Sequence, residues 1–295
     1  MVQKRSRGTA RETGNEWGER DGEGSGNDPG PEPIPAPPRN VVFSPSAPVS
    51  IRPYRPADKA SVMSLFRFGV MEHVYPAFFK SMSHPDHVGV AISISMAGYV
   101  LGGSSYFEAL LFGGAWAGLV YYCCHEVYMG YLNRKLRAEM SDVQTHFLDN
   151  PNNHFWVAET EVNGKSKVAG LAGVLVRKGG DEAHHGNNGG GSSWNGGQAM
   201  NGEGEGSYGE LFQLAVSFPH RRKGVGRQLL HTSLDFCKEQ GLSRVVLETS
   251  SPQLAALGLA KKTGFVQMSS HSFTHSNRWI AKLARIDVLR MEKAI

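Results

Sequence analysis

Cysteine is scarce in this chain: there are three, at positions 123, 124 and 237. Their spacing offers neither an even pairing framework nor a set of metal ligands, so a disulfide scaffold is excluded and no metal site is expected. Net charge is also low. At +4 over 295 residues it makes no case for a nucleic-acid partner. The one small basic cluster, Arg5 to Arg11, reads as a solvated run. No apolar core follows Met1, so no secretory signal is expected. Apolar periodicity is missing from positions 1–47, which are rich in Gly, Pro, Glu, Arg and Asn. Such a segment buries too little apolar area to offset its ordering entropy, and a disordered tail is expected there. Gly179 to Gly209 is nearly two-fifths glycine and reads as a flexible loop inserted into a domain spanning 48–295.

The shortage with the largest consequence is of charge. Val88 to Cys124 contains one charged residue, Glu108, in 37. A bilayer crossing needs about 20 apolar residues, so two straight crossings and a turn do not fit. One tilted crossing or a short re-entrant hairpin does, and Gly102-Gly103-Ser104-Ser105 offers a hairpin tip. Lys80 stands on one flank and Arg134, Lys135 and Arg137 on the other, which places both ends on the cytoplasmic side. A charge inside the bilayer is costly, so Glu108 favours a shallow hairpin with its tip near a surface. The competing reading is a pair of helices buried in a soluble core. Cys123 and Cys124 are either packed thiols or palmitoylation sites beside the membrane.

Around this region the chain alternates strand-like and helix-like runs. Val49–Tyr54, His154–Glu159, Val168–Val176, Leu211–Phe218, Arg244–Thr249, Phe265–Met268 and Ile286–Met291 read as strands. Leu211–Phe218 is continuously apolar and is expected at the sheet centre. Ala57–Met71, Tyr131–Phe147, Gly224–Gln240 and Pro252–Thr263 read as helices, the last two stopped by Gly241 and Gly264. The fold class is α/β, a mixed sheet flanked by helices.

The joint between the apolar strand and the helix at Gly224 is unusual. It reads Pro219-His220-Arg221-Arg222-Lys223-Gly224-Val225-Gly226-Arg227. A turn that opens a helix presents unpaired N–H groups and a positive dipole end, and so receives anions. Gly224 and Gly226 let the backbone approach a phosphate. Arg221, Arg222, Lys223 and Arg227 neutralise a pyrophosphate and one further phosphate. No Gly-Lys-Ser/Thr is present and no third glycine stands at dinucleotide spacing, which excludes the usual phosphate loops. A solvated basic helix start remains the alternative at this point.

Arg221-x-x-Gly224-x-Gly226, preceded by Leu214-Ala215-Val216, resembles the acetyl-coenzyme A motif of the GNAT acetyltransferase superfamily. The downstream order fits too: a helix, "RVVLETS", and a helix ending "KKTGF". The apolar insertion, "FGVMEHV", "AEMSDV", "FWVAE" and "VVLETSSPQLAALGL" resemble the camello or N-acetyltransferase 8 group of membrane-bound enzymes. Within it, "HRRKGVGR" is similar to the N-acetyltransferase 14 branch. The resemblance implies acetyl transfer from acetyl-coenzyme A to an amine, either a small amino-acid-like acceptor or a protein lysine. It implies that Leu214, Val216, Arg221, Arg222, Lys223, Gly224, Val225, Gly226 and Arg227 hold the acetyl-coenzyme A. It also implies a location on a membrane, the endoplasmic reticulum, with the catalytic domain and N-terminus on the cytoplasmic side. If the strand at Val49–Tyr54 shares a sheet with His154–Glu159, the insertion must return to its starting side.

The acceptor amine must lose a proton to attack the thioester. Glu210, six residues before Val216, stands where several members of the superfamily carry a catalytic glutamate. Glu139 and Asp142 are further candidates from the camello pattern. Backbone N–H groups near Val216 would polarise the thioester carbonyl. One departure concerns the leaving thiolate. The family usually places a tyrosine four residues before the glycine of "GF", and here that residue is Ala260. Ser250, Ser251 or a water could replace it. The departure also admits a second reading, a scaffold that binds acyl-coenzyme A without turnover.

Overall fold

The computed structural model describes residues 49–162, 164–178, 194 and 206–295. The expected tail at 1–47 lies outside the described residues, as does most of the expected loop at 179–209. At the far end of that range, Ser207–Gly209 belong to a strand instead.

Seven strands form one sheet: β1 (Val49–Pro53), β2 (His154–Val162), β3 (Lys165–Lys178), β4 (Ser207–Val216), β5 (Arg244–Ser250), β6 (Val266–His271) and β7 (Val288–Ala294). Their order is β1-β2-β3-β4-β5-β7-β6, and every neighbouring pair is antiparallel except β4 with β5. β4 is central and covered on both faces, which is why Leu211, Phe212, Leu214 and Ala215 are apolar without strict alternation. On one face pack α1 (Lys59–Met71) and the inner half of α4 (Tyr106–Arg137), around Phe66, Tyr128, Phe147 and Phe212. On the other pack α5 (Val225–Glu239) and α6 (Leu254–Lys262), around Leu229, Leu230, Leu247 and Met291. Val225, Leu229, Leu230, Leu234 and Cys237 are all buried, as the helical spacing requires.

β4 carries a bulge. Gly173 of β3 faces Gln213 and Val174 faces Leu211, so Phe212 is left without a partner. An extra residue bends a strand and increases its twist. The parallel pairing of β4 with β5 runs only from Gly209↔Val245 to Leu211↔Leu247 and then stops. Beyond that point the two strands part and leave a wedge in the centre of the sheet.

β1 pairs antiparallel with β2, as expected, so the segment between them returns to the same sheet. It contains α2 (Val74–Met82), α3 (Pro85–Leu101) and α4. The chain reverses at Gly102–Ser105, where Gly103 (φ 64°) and Ser104 (φ 72°) take left-handed conformations. Gly98 sits where the arms touch: a Cβ there would lie 2.8 Å from Phe112 Cδ2. Small residues let helical arms approach closely.

The apolar region differs from expectation in two ways. Ala109–Cys124 and the start of the expected helix Tyr131–Phe147 belong to one helix, α4, which ends at Arg137, and a separate π-helical turn follows at Gln144–Leu148. The free part of the region also ends earlier than Cys124. Val120, Cys123 and Cys124 are buried in the domain core, whereas Leu119 is 43% exposed. The thiols are thus packed, and the Cys124 Sγ lies 3.8 Å from the Ala284 carbonyl oxygen. Ile92, Met96, Val100, Leu110 and Leu111 project outward along both arms with no covering element among the described residues.

Candidate active site

The strand–helix joint is built from backbone first. After β4, a short 3-10 turn at Phe218–His220 redirects the chain. The Ser217 amide donates to the Ala169 carbonyl at 2.8 Å, and the Ser217 hydroxyl meets His220 Nδ1 at 2.8 Å. Two left-handed residues follow, Arg222 (φ 63°) and Gly224 (φ 84°), and Gly224 is the N-cap of α5. A turn built on left-handed residues can bring neighbouring N–H groups to one side, which makes an anion-binding concavity. The first N–H groups of α5 add to it, and no acidic residue sits in that first turn.

The structure divides the expected site residues. Arg222, Lys223 and Arg227 are exposed, and none has a carboxylate partner among the described residues. Arg227 Nε donates to His231 Nε2 at 3.4 Å, and the three cationic groups are otherwise free for an anion. Arg221 is not. Its Nε donates to the Val216 carbonyl at 2.8 Å, and its Nη2 reaches both carboxylate oxygens of Glu72 at 2.8 and 2.6 Å. Arg221 ties the loop to the end of α1 through these bonds. Val225 is buried in the core between α5 and the sheet, so it offers a ligand its backbone alone. Gly226 sits where a Cβ would meet Val216 and Leu259 at ordinary contact distances of 3.5 and 3.6 Å. Leu214 and Val216 are half-buried on the same side.

The wedge lies beside this loop. Beyond Leu211, the β4 backbone groups that face β5 have no strand partner, and such groups seek a hydrogen-bonding occupant. Two tyrosines of α4 close the wedge from one face. Tyr131 donates to Gln213 Oε1 of β4 at 3.4 Å, and the Tyr128 and Ser250 hydroxyls are 2.9 Å apart. The Trp194 ring stacks on Tyr131 with centroids 4.4 Å apart. From the other face come Leu214, Leu259 and Ala260, bordering a cavity of about 40 Å³. Ala260 is fully buried and brings no proton donor, and Ser250 is bonded to Tyr128. Sequence reading missed Glu72, Tyr128, Tyr131 and Gln213, because each partnership joins residues more than 80 positions apart.

Glu210 sits at the closed end of the wedge, paired with Val246 of β5. Its Oε2 accepts from Arg177 Nε at 2.9 Å. Lys135 Nζ donates to Glu139 Oε1 at 2.8 Å, and Arg177 lies 4.0 Å from the same oxygen. Glu210 and Glu139 thus share one charge network, whereas Asp142 is exposed and spends its oxygens on Thr145 and Gln144. Burial presses the Glu210 pKa upward, but Lys135, Arg177 and Arg290 outweigh it and hold the carboxylate below its ordinary value.

A depressed pKa carries a stability consequence. The ionised form stabilises the fold above the ordinary carboxylate pKa, and that contribution is lost as pH falls through the lowered folded value. Urea unfolding at about pH 7 and pH 3 is expected to show a larger stability loss for the parent chain than for Glu210→Gln. Equal losses would mean that Glu210 is not held ionised by its neighbours.

Residues 121–265 match the family model described as the acetyltransferase (GNAT) family. The chain is 29% identical to human N-acetyltransferase 8B over 235 residues, 78% of this chain and 88% of that protein. It is 28% identical to the probable N-acetyltransferase camello of Xenopus laevis over 221 residues, 74% of this chain and 86% of that protein. Among solved structures, Arabidopsis thaliana NAA60 with a bisubstrate analogue aligns at a TM-score of 0.45 and 12% identity, covering 84% of this chain and 98% of that one. A GNAT-family acetyltransferase from Staphylococcus aureus Mu50 aligns at 0.43 and 11%, covering 84% and 99%.

Proposed function

We propose that this chain, which matches the GNAT acetyltransferase family model over residues 121–265 and is similar to the N-acetyltransferase 8 and camello proteins, takes acetyl-coenzyme A as its co-substrate and is a membrane-attached N-acetyltransferase acting on an amine. One observation carries the reading of the site. The left-handed loop at Arg222–Gly224 and the start of α5 open directly beside a wedge of unpaired β4 backbone.

In this reading the pyrophosphate rests on the loop N–H groups and the α5 N-terminus. Arg222, Lys223 and Arg227 neutralise it, and Arg221 holds the loop in place through Glu72. The extended, amide-bearing arm of coenzyme A lies along β4 in the wedge, past Leu214 and Val216. An N–H near Val216 polarises the thioester carbonyl, where charge develops as the amine attacks. The new C–N bond forms as the C–S bond breaks, and the coenzyme A thiolate leaves. Glu210, ionised at neutral pH, takes the amine's proton directly or through water. Its lowered pKa makes it a modest base.

The acceptor is a small amino-acid-like amine or a protein lysine. The hairpin of α3 and the outer half of α4 anchors the chain. Its 17-residue first arm is roughly 25 Å long at 1.5 Å per residue. Helix Tyr106–Arg137 is the one described helix long and apolar enough to cross a membrane, yet its inner half is built into the domain. Both hairpin ends then lie on one side, in keeping with a cytoplasmic face of the endoplasmic reticulum. Placement in the N-acetyltransferase 14 branch rests on His220–Arg227 alone.

The test uses detergent-purified protein, radiolabelled acetyl-coenzyme A and a panel of amino acids, cysteine conjugates and lysine peptides, with an Arg221→Glu/Gly224→Asp control. Labelled product from the intact chain alone is expected and names the acceptor class. Ala260 favours one other outcome, cofactor binding without product across the panel, which would make the chain a non-catalytic acyl-coenzyme A scaffold.

A further inference from the structure

A second concave surface lies away from the acetyl-transfer wedge. It encloses about 740 Å³ between the end of α2, the α2–α3 turn and α7 (Arg278–Ala284). α7 turns Ala281 and Ala284 inward, and its outward side presents Arg278, Trp279 and Lys282. Lys80, in the last turn of α2, and His84 face the same cavity.

Most of the charges there are positive and unspent, and Asp287 is the one carboxylate among the lining residues. Arg285 is engaged by Asp86 and His84, and Asp287 accepts from the Ser272 hydroxyl at 2.8 Å. Lys80, Arg278 and Lys282 are exposed and have no carboxylate partner among the described residues. Trp279 is 72% exposed, and the Lys282 ammonium lies 5.9 Å from its ring centroid. Three uncompensated cations around an exposed indole suit a phosphate attached to an apolar body.

Position in the fold identifies that body. The Ala284 carbonyl meets Cys124, close to where α4 passes from exposed Leu119 to buried Val120. The Arg285–Asp86 pair holds the cavity against the first turn of α3, two residues before exposed Val88. The cavity therefore sits at the foot of the apolar hairpin, where its two arms leave the folded domain. If the hairpin is in a bilayer, this is the level of the lipid phosphates and of interfacial tryptophan.

We propose that this cavity binds the phosphate headgroup of an anionic phospholipid, with Lys80, Arg278 and Lys282 as its charge partners and Trp279 at the interface. The proposal rests on the hairpin being membrane-inserted. Lipid bound here would fix the height of the catalytic domain above the membrane, through the Arg285–Asp86 link.

The full chain is tested by co-flotation with vesicles of phosphatidylcholine alone and of phosphatidylcholine with phosphatidylserine, beside a Lys80→Glu/Arg278→Glu/Lys282→Glu variant. Interfacial cations each add roughly fivefold to binding of an anionic surface, so the parent chain is expected to prefer the anionic vesicles by about a hundredfold. The variant is expected to bind both kinds equally, still held by the hairpin. Calorimetry in detergent with short-chain phosphatidylserine and with inorganic phosphate separates the sources. Phosphate binding as tightly as the lipid would assign the site to a free anion and overturn the proposal. Equal flotation of parent and variant on anionic vesicles would overturn it too. Failure to float on any vesicle, with short-chain lipid still bound, would remove the hairpin reading and keep the site.

Discussion

A Gly224→Val variant is expected to bind acetyl-coenzyme A about a hundredfold more weakly than the parent chain. Gly224 has φ 84° and caps α5. A left-handed conformation costs a non-glycine residue about 1–2 kcal/mol, and a β-branched one more. Valine would drive the loop to a right-handed conformation and turn the N–H groups at the start of α5 away from the anion, and each 1.4 kcal/mol lost is a factor of about ten. Nothing lies within 4 Å of a Cβ at this position, so the substitution creates no clash in the core. Cofactor affinity and stability therefore separate: titration calorimetry should show the loss, and thermal unfolding should show a shift of only a few degrees. Asparagine tolerates the left-handed region, and Gly224→Asn should keep most of the affinity. Unchanged affinity in the valine variant would remove the phosphate from this loop.

The second large effect concerns the hairpin. A Met96→Lys/Leu110→Lys/Leu111→Lys variant is expected to move from the membrane pellet to the soluble fraction. The three side chains are 60%, 75% and 57% exposed and face outward from the two arms. Each lysine near the bilayer centre costs roughly 2.5–3.5 kcal/mol, and the sum outweighs the apolar area the hairpin has to offer. The folded domain touches none of them, so the released variant should still acetylate a soluble amine. Carbonate-resistant sedimentation of the triple variant would mean that the hairpin is not the anchor.

Much of the sheet was legible from the chain. β1, β2, β3, β5 and β6 are legible from β-branched and apolar runs, and β4 from its largely apolar character, though its first three residues fall in the expected loop. α2 and α7 were not read as helices. α2 carries Pro76, which reads as a break but is tolerated in a first turn, and α7 is only seven residues long. The bulge at Phe212 was also missed, because it depends on how β3 is registered against β4 and not on β4 alone.

What the sequence alone determined is local in its physics. Absence of charge over Val88–Phe107 announces an apolar arm whatever the rest of the chain does. A glycine after three cations at a strand's end announces a helix start that can receive an anion. Tertiary structure decided where the side chains spend their charge. Arg221 meets Glu72 across 149 positions, Glu210 meets Arg177 across 33, and Lys80 shares a cavity with Lys282. Ion pairs and cavities depend on distances of a few ångströms, and those distances exist only once the sheet has brought remote segments together.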